Sequence, residues 1–198
     1  MPDVRAATDA DLPEVGRALA AAFDADPIWG WLAPDPTRWS ARAPGWFEAD
    51  ATVQRHGHGE VLVDDEVRGA AIWSPPKRWK PTLAETAKVM PQSVRLFRSR
   101  TVRALRVLTA LEKIHPREPH WYLAFIGTDP RHQGHGIGGR LISAITDRCD
   151  TEGLPAYLES SRESTVPFYR RHGFEVTEPI RLLGTGPTMY PMWREPKG

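Results

Sequence analysis

The feature that most constrains this chain is the run Arg131-His132-Gln133-Gly134-His135-Gly136-Ile137-Gly138-Gly139. It follows an apolar, aromatic stretch, Trp121 to Gly127, suited to a buried strand that Thr128-Asp129-Pro130 ends. It opens a segment in which Ile137, Leu141, Ile142 and Ile145 recur at helical spacing to about Thr151. A turn from strand to helix exposes backbone N–H groups and the positive end of a helix dipole, which together hold phosphate. Glycines at 134, 136 and 138 allow positive φ and bring successive amides onto one anion. In physical terms this is a diphosphate site. A Walker loop would end in Gly-Lys-Ser or Gly-Lys-Thr, whereas this one continues Gly138-Gly139-Arg140-Leu141. A dinucleotide fingerprint expects an acidic residue about 20 positions on; Glu159 is near that distance, but the glycine spacing differs.

The rest of the chain reads as one α/β domain over 1–198, a length that supports one sizeable core rather than two. Val4 to Ala7 suits a strand; Thr8 and Asp11 have capping-box-like spacing ahead of a helical pattern through Leu12, Val15, Leu19, Ala22 and Phe23. Asp26 to Pro44 is crowded with proline and tryptophan and reads as an irregular, packed loop that walls a pocket. A helix around Trp46 to Val53 is followed by a hairpin, Glu60–Val63 and Val67–Trp73, and by a helical arm over 82–114 broken at Pro91. Pro155 to Glu159 and Phe174 to Val176 suit strands on either side of a short helix, Val166 to Arg171, and Thr188 to Trp193 closes the sheet.

Net charge is +1, with 26 basic against 25 acidic side chains, so no global field gathers nucleic acid or anionic membrane. The single cysteine, Cys149, excludes an internal disulfide and fits a reducing cytoplasm, and no run of about 18 apolar residues or apolar leader is present. His56 and His58 flank a glycine without a third ligand, so no metal is expected.

Gln133-x-x-Gly136-x-Gly138 after Thr128-x-Pro130 resembles the acyl-CoA loop of the GNAT acetyltransferase superfamily. Ala156-Tyr157-Leu158-Glu159-Ser160-Ser161 and Val166-Pro167-Phe168-Tyr169-Arg170-Arg171-His172-Gly173-Phe174 resemble its fifth strand, following helix and next turn. Val4 to Phe23, Pro119 to Gly138 and Pro155 to Val176 are similar to the puromycin N-acetyltransferase branch. The resemblance implies a GNAT fold with a mixed, mostly antiparallel sheet flanked by helices, an acyl-CoA-binding core at 120–176, and acetyl-CoA as cosubstrate. It implies cofactor contacts from Ile126, Gly127 and Thr128, from Gln133, Gly134, His135, Gly136, Ile137, Gly138 and Gly139, and from Thr165, which stands where the family often has Asn. Tyr169 is the implied acid for the departing thiolate and Glu159 the candidate base. Glu159 has a plainer reading, pairing with Arg162 or Arg170.

The acceptor is expected to be the amine of a small molecule, with an aryl-bearing amine or aminonucleoside, as in antibiotic resistance, as a candidate. A peptide amine and a catalytically silent acyl-CoA-binding module are the alternatives. Trp29, Trp31, Trp73 and Trp79 divide between core and acceptor pocket; His120, ahead of the core strand, is placed to pack or to touch substrate; His132 and His135 suit surface or phosphate contacts. Arg95, Arg98, Arg100, Arg103 and Arg106 give the arm a basic, solvated face, and family habit points to a homodimer through the arm or last strand.

Overall fold

The computed structural model describes residues 4–197. Strand β1 (Val4–Ala6) leads into helix α1 (Leu12–Ala22) through a turn where the N–H and hydroxyl of Thr8 both donate to Asp11, at 2.7 and 2.8 Å. The segment expected as loop is instead two helices, α2 (Pro27–Leu32) and α3 (Pro36–His56). Each begins with an aspartate cap followed by proline in the first turn. Asp26 accepts from the N–H of Ile28 and Trp29, Asp35 from that of Arg38. Proline at that position has no N–H to waste, so residues that break a helix interior start one here. Pro44 lies inside α3 without ending it. There α1 and α3 touch so closely that a Cβ on Gly16 would collide with the Pro44 carbonyl.

Strands β2 (Glu60–Asp64) and β3 (Gly69–Ser74) form the expected hairpin. The fully buried Asp64 accepts from the N–H of Arg68 and Gly69 at 2.7 and 2.9 Å and from Arg68 Nε at 2.8 Å. Those bonds hold Val67 at φ 53°, a strained value for a β-branched residue. The arm is α4 (Leu83–Phe97) and α5 (Thr101–Ile114). Its break falls not at Pro91, which α4 accommodates, but at Arg98–Arg100, where Arg98 has φ 49°. Its arginines are not all solvated either: Arg100 donates to the Trp31 carbonyl at 2.6 Å, and the Arg103 guanidinium lies 4.9 Å from the Trp31 ring centre.

Strands β4 (Trp121–Thr128), β5 (Ala156–Ser160), β6 (Glu175–Val176), β7 (Ile180–Arg181) and β8 (Thr188–Arg194) complete the sheet, with α6 (Ile137–Glu152) and α7 (Val166–Arg171) between them. The order is β1-β2-β3-β4-β5-β8-β6, with β7 added to β8; β4–β5 is the one parallel pair among the described residues. The other elements match expectation to within a residue or so, and β7 is an addition to them. Alternation sorts the core. Val61, Val63, Ala70 and Ile72 pack with α1 and α3, while Leu62, Ala71 and Trp73 meet Leu141, Ile142 and Ile145 of α6 on the other face.

One irregularity in the sheet opens room for a site. Strand β4 pairs with β5 only from Trp121 to Leu123, against Ala156 to Leu158. At that level its register with β3 shifts, with Ile72 opposite Phe125 but Trp73 opposite Leu123, leaving Ala124 as an extra residue. A bulge bends its strand. From Ala124 to Thr128 the edge facing β5 has no strand partner, and β4 and β5 splay apart.

Candidate active site in the splay of the sheet

A cavity of about 760 Å³ passes through this splay. At one end lies the glycine loop. Asp129 accepts from the N–H and guanidinium of Arg131, and the Gln133 side chain donates to the Thr128 carbonyl at 3.1 Å, so the turn is fixed before the helix begins. Gly134 has φ 82° and Gly136, the cap residue of α6, φ 74°. Gly138 is already within α6 and is not in the positive-φ region; a Cβ there would lie 3.5 Å from Phe168, so its role is close approach rather than turn geometry. The first N–H groups of α6 have no partner within the helix and point at the loop. Arg140 braces the loop from within α6, its Nη1 donating to the His135 carbonyl at 3.2 Å, while its Nε and Nη2 are buried and unpartnered.

Gln133, Gly134, Gly136, Ile137, Gly138 and Gly139 line this end; His135 does not, its ring facing the His132 carbonyl at 3.2 Å. Arg171 and His172 join the lining, while Asp129 is neutralised by Arg131 and held below its usual range by it. Positive φ and free helix N–H groups fit the diphosphate of CoA. Thr165 also lines the cavity, but it makes no side-chain cap, and its hydroxyl bonds Ser160 at 2.7 Å and the Arg162 carbonyl at 2.9 Å. That hydroxyl braces the loop between β5 and α7 instead.

Ile126, Gly127 and Thr128 sit on the unpaired part of β4, opposite Ala71, Ala70 and Gly69 of β3, with one strand edge toward the gap. Gly127 is dictated by packing, since a Cβ would meet Ala22 of α1 at 2.6 Å. Tyr169 of α7 lies against Phe168 and Phe174 and lines the cavity. Burial, and then the nearby Asp26, push its hydroxyl well above the ordinary tyrosine value, so it is a proton donor throughout the neutral range.

Glu159, at the end of β5, faces the same cavity with a side chain only 3% exposed. It pairs with neither arginine expected for it: Arg162 faces Asp26 at 3.6 Å and Arg170 faces Glu175. Its Oε2 accepts from the Tyr122 hydroxyl at 2.9 Å, and its Oε1 is buried without a hydrogen bond. Burial and then Glu159 push the Tyr122 hydroxyl up, so the tyrosine stays a donor to the carboxylate.

Beyond Glu159 the cavity is aromatic. Trp29 is its centre, 4.9 Å from Trp46, 6.0 Å from Phe97 and 6.2 Å from Phe125 between ring centres. Of the four tryptophans weighed from sequence only Trp29 lines the cavity: Trp31 is held by the arm, Trp73 is core, and Trp79 stacks on His115. Trp46 lines it as well and donates to Ser93 of α4 at 2.9 Å. The cavity has a second carboxylate that sequence reasoning missed. Asp26 is 2% exposed, caps α2, accepts from the Ser161 hydroxyl and lies on the Tyr169 side. Its Asp-Pro signature was visible, but its neighbour across the gap was not. Among the described residues no group of three or more His, Cys, Asp or Glu is arranged to hold a metal, and no helix is long and apolar enough to cross a membrane.

The geometry agrees with comparisons against known proteins. An N-acetyltransferase of Schizosaccharomyces pombe is 40% identical over 75 residues, a match spanning 37% of this chain and 30% of that protein. The structure of a Corynebacterium glutamicum protein described as histone acetyltransferase HPA2 and related acetyltransferase superposes with a TM-score of 0.76 and 27% identity, covering 100% of this chain and 97% of that one. A Salmonella typhimurium protein solved with its cofactor acetyl-CoA shares the fold at a TM-score of 0.55 and 18% identity, over 98% and 93% of the two chains. The model of the acetyltransferase (GNAT) family matches residues 22–174, more than three quarters of the sequence and nearly all of the cavity lining, and the chain belongs to that family.

Proposed function

We propose that the protein moves an acetyl group from acetyl-CoA directly to the primary amine of a small, amphiphilic or aryl-bearing molecule. The observation that carries this reading is the continuity of the cavity: glycine loop at one end, aromatic wall at the other, Tyr169 and Glu159 between. Acetyl-CoA supplies an activated thioester when bound. The free edge of β4 at Ile126–Thr128 offers N–H groups to the oxygen on which charge develops, an effect worth roughly 3–4 kcal/mol in comparable acyl transfers. Glu159, its Oε1 unpartnered, takes one proton from the ammonium, Tyr169 gives its proton to the departing thiolate, and the second N–H proton lost as the amide forms returns to Tyr169. Net, one ammonium N–H proton leaves for solvent as the new C–N bond forms and the C–S bond breaks.

A small acceptor is favoured over a peptide because α2 and the arm α4–α5 wall the aromatic end. A silent cofactor sensor is disfavoured because Tyr169 stands in the cavity beside an intact loop. Free-thiol release from acetyl-CoA is the test, across aryl-alkyl amines, aminonucleosides such as puromycin, polyamines and peptides. Saturable release with one class of small amine is expected. Release only with peptides would move the reading to a protein acetyltransferase, and binding without release to a sensor.

A further inference from the structure

What can follow an amine into this cavity is set by the charges of its wall. Two carboxylates line it, Asp26 and Glu159. Asp26 is fully engaged: Oδ1 accepts from the N–H of Ile28 and Trp29, Oδ2 from the Ser161 hydroxyl, and Arg162 Nε lies 3.6 Å away. Glu159 Oε1 has no hydrogen bond, so the cavity offers one open anionic group to an ammonium. The wall that helices α2 to α5 supply holds no charge at all. It is Trp29, Trp46 and Phe97, then Ala104, Leu105 and Leu108 with their aliphatic neighbours, and among these helices only Ser93 and Thr101 add a hydroxyl.

The same wall reaches the surface. Leu105 and Leu108 line the cavity yet are 39% and 54% exposed, and Val102, one turn before Leu105, is 68% exposed. Single exposed apolar side chains need no explanation, but these three recur at every third position of α5 and adjoin a cavity. The charges beside them are cationic, Arg103 and the exposed Arg106, while the acid further along the helix, Glu112, already accepts from Lys80 at 2.8 Å. We propose that the acceptor is a monoamine on an uncharged apolar tail, with its ammonium at Glu159 and its tail leaving across Leu105 and Leu108. The proposal rests on the acetyltransferase reading above and narrows it.

Each competing class of amine meets a definite cost. A second ammonium held within the wall would lose its water and find no carboxylate oxygen free. The faces of Trp29 and Trp46 attract a cation, but a ring-face contact is weaker than the hydration it replaces. The ribose hydroxyls of an aminonucleoside would meet hydroxyls that are already bonded. Ser93 donates to the Val89 carbonyl and accepts from Trp46 Nε1, and Thr101 donates to the Arg98 carbonyl, at 3.2, 2.9 and 2.7 Å. An apolar tail has no such cost, and each methylene laid on the wall gains by leaving water. Leu105 and Leu108 thereby become the residues that set acceptor length and charge.

The test is thiol release with butylamine, hexylamine and octylamine and with the terminal diamines of the same lengths. From butylamine upward kcat/KM is expected to rise about three- to fourfold per methylene, the gain of moving one CH₂ out of water. Butane diamine should trail butylamine by about 100-fold or more. A flat series, or equal use of butylamine and butane diamine, would overturn the proposal. Leu108→Asp puts a carboxylate at the mouth, at a position exposed enough to leave the fold intact. It should move the preference between octylamine and octane diamine toward the diamine by about 10-fold or more, with Tm near wild type; an unchanged preference in the folded variant would refute the exit across α5. If wild type acetylates no amine, it is the acetyltransferase reading that fails, and tryptophan fluorescence still decides the wall. Saturable quenching by octylamine but not by butane diamine is expected, and an equal or absent response to the two would sink the assignment.

Discussion

Tyr169→Phe isolates one atom. The ring stays against Phe168 and Phe174, at 5.1 and 6.3 Å between centres, so the fold and the α7 wall of the cavity should survive. What goes is an O–H whose raised proton affinity keeps it intact at neutral pH. Its contribution is bounded on both sides. General acids contribute about 10²–10⁴-fold, but a thiolate with an ordinary value near 8.5 is a tolerable leaving group that water can protonate afterwards. We therefore expect kcat to fall by about 10- to 1000-fold, or ~1.4–4 kcal/mol at 1.36 kcal/mol per decade. Acetyl-CoA affinity by calorimetry should stay within about twofold, since the lost group acts on the departing atom and not on the bound ground state. Thiol release followed spectrophotometrically supplies the rate. Because the hydroxyl's value is raised, the wild-type rate should also show no loss of an essential acid up to about pH 10, the ordinary tyrosine value. A Tyr169→Phe protein turning over at the wild-type rate would remove Tyr169 from the mechanism.

Gly136→Glu places a charged side chain at φ 74° where the diphosphate would lie, and acetyl-CoA binding by calorimetry should be abolished; normal affinity would refute the loop assignment. Asp50 is half-buried with its Oδ2 buried and unpartnered, and desolvation raises it to about 7. The folded protein then holds a proton that the unfolded chain releases near pH 4, so stability falls as pH rises from about 4 to 7. Asp50→Asn should accordingly raise Tm by several degrees at pH 8 and leave it unchanged near pH 4, and equal shifts at both would refute the assignment. Arg194 is 2% exposed and bonds Asp150 through both Nη atoms, at 2.7 and 2.6 Å, while its Nε reaches the His172 carbonyl. Asp150→Ala strands that cation and should cost about 3–5 kcal/mol in denaturant unfolding; a loss under about 1 kcal/mol would show that water replaces the carboxylate.

The glycine loop and strand β4 were legible because their chemistry is local. A strand, a turn needing positive φ and a helix start lie within about 20 consecutive positions and can be read without knowing what packs on them. The stretch from Asp26 to Pro44 was misread for an equally local reason: proline density was weighed as helix-breaking, when Asp26-Pro27 and Asp35-Pro36 place each proline where a helix begins. Pro91 misled likewise, and the true break at Arg98 carries no glycine or proline to announce it. The site's carboxylates show the deeper limit. Glu159 was a reasonable candidate from its place at a strand end, but its partners come from Tyr122, 37 positions away, and His115, 44 positions away, joined only once β4 and β5 pair.

That pairing explains why so much of the chemistry collects at one point. Three β4–β5 pairs, Trp121–Ala156, Tyr122–Tyr157 and Leu123–Leu158, fix the closed end of the splay, and a single extra residue, Ala124, opens the other. The closed end sets Tyr122 beside Glu159 and brings His115 and His120 behind them; the open end leaves β4 with an unpaired edge for an acyl donor. Deleting Ala124 would restore continuous register with β3 and keep Phe125 opposite Ile72 and Ile126 opposite Ala71, each on its present face, but would remove the bend that parts β4 from β5. The bulge is thus the element on which both the cofactor edge and the aromatic wall depend, though no side chain in it reaches a reacting atom.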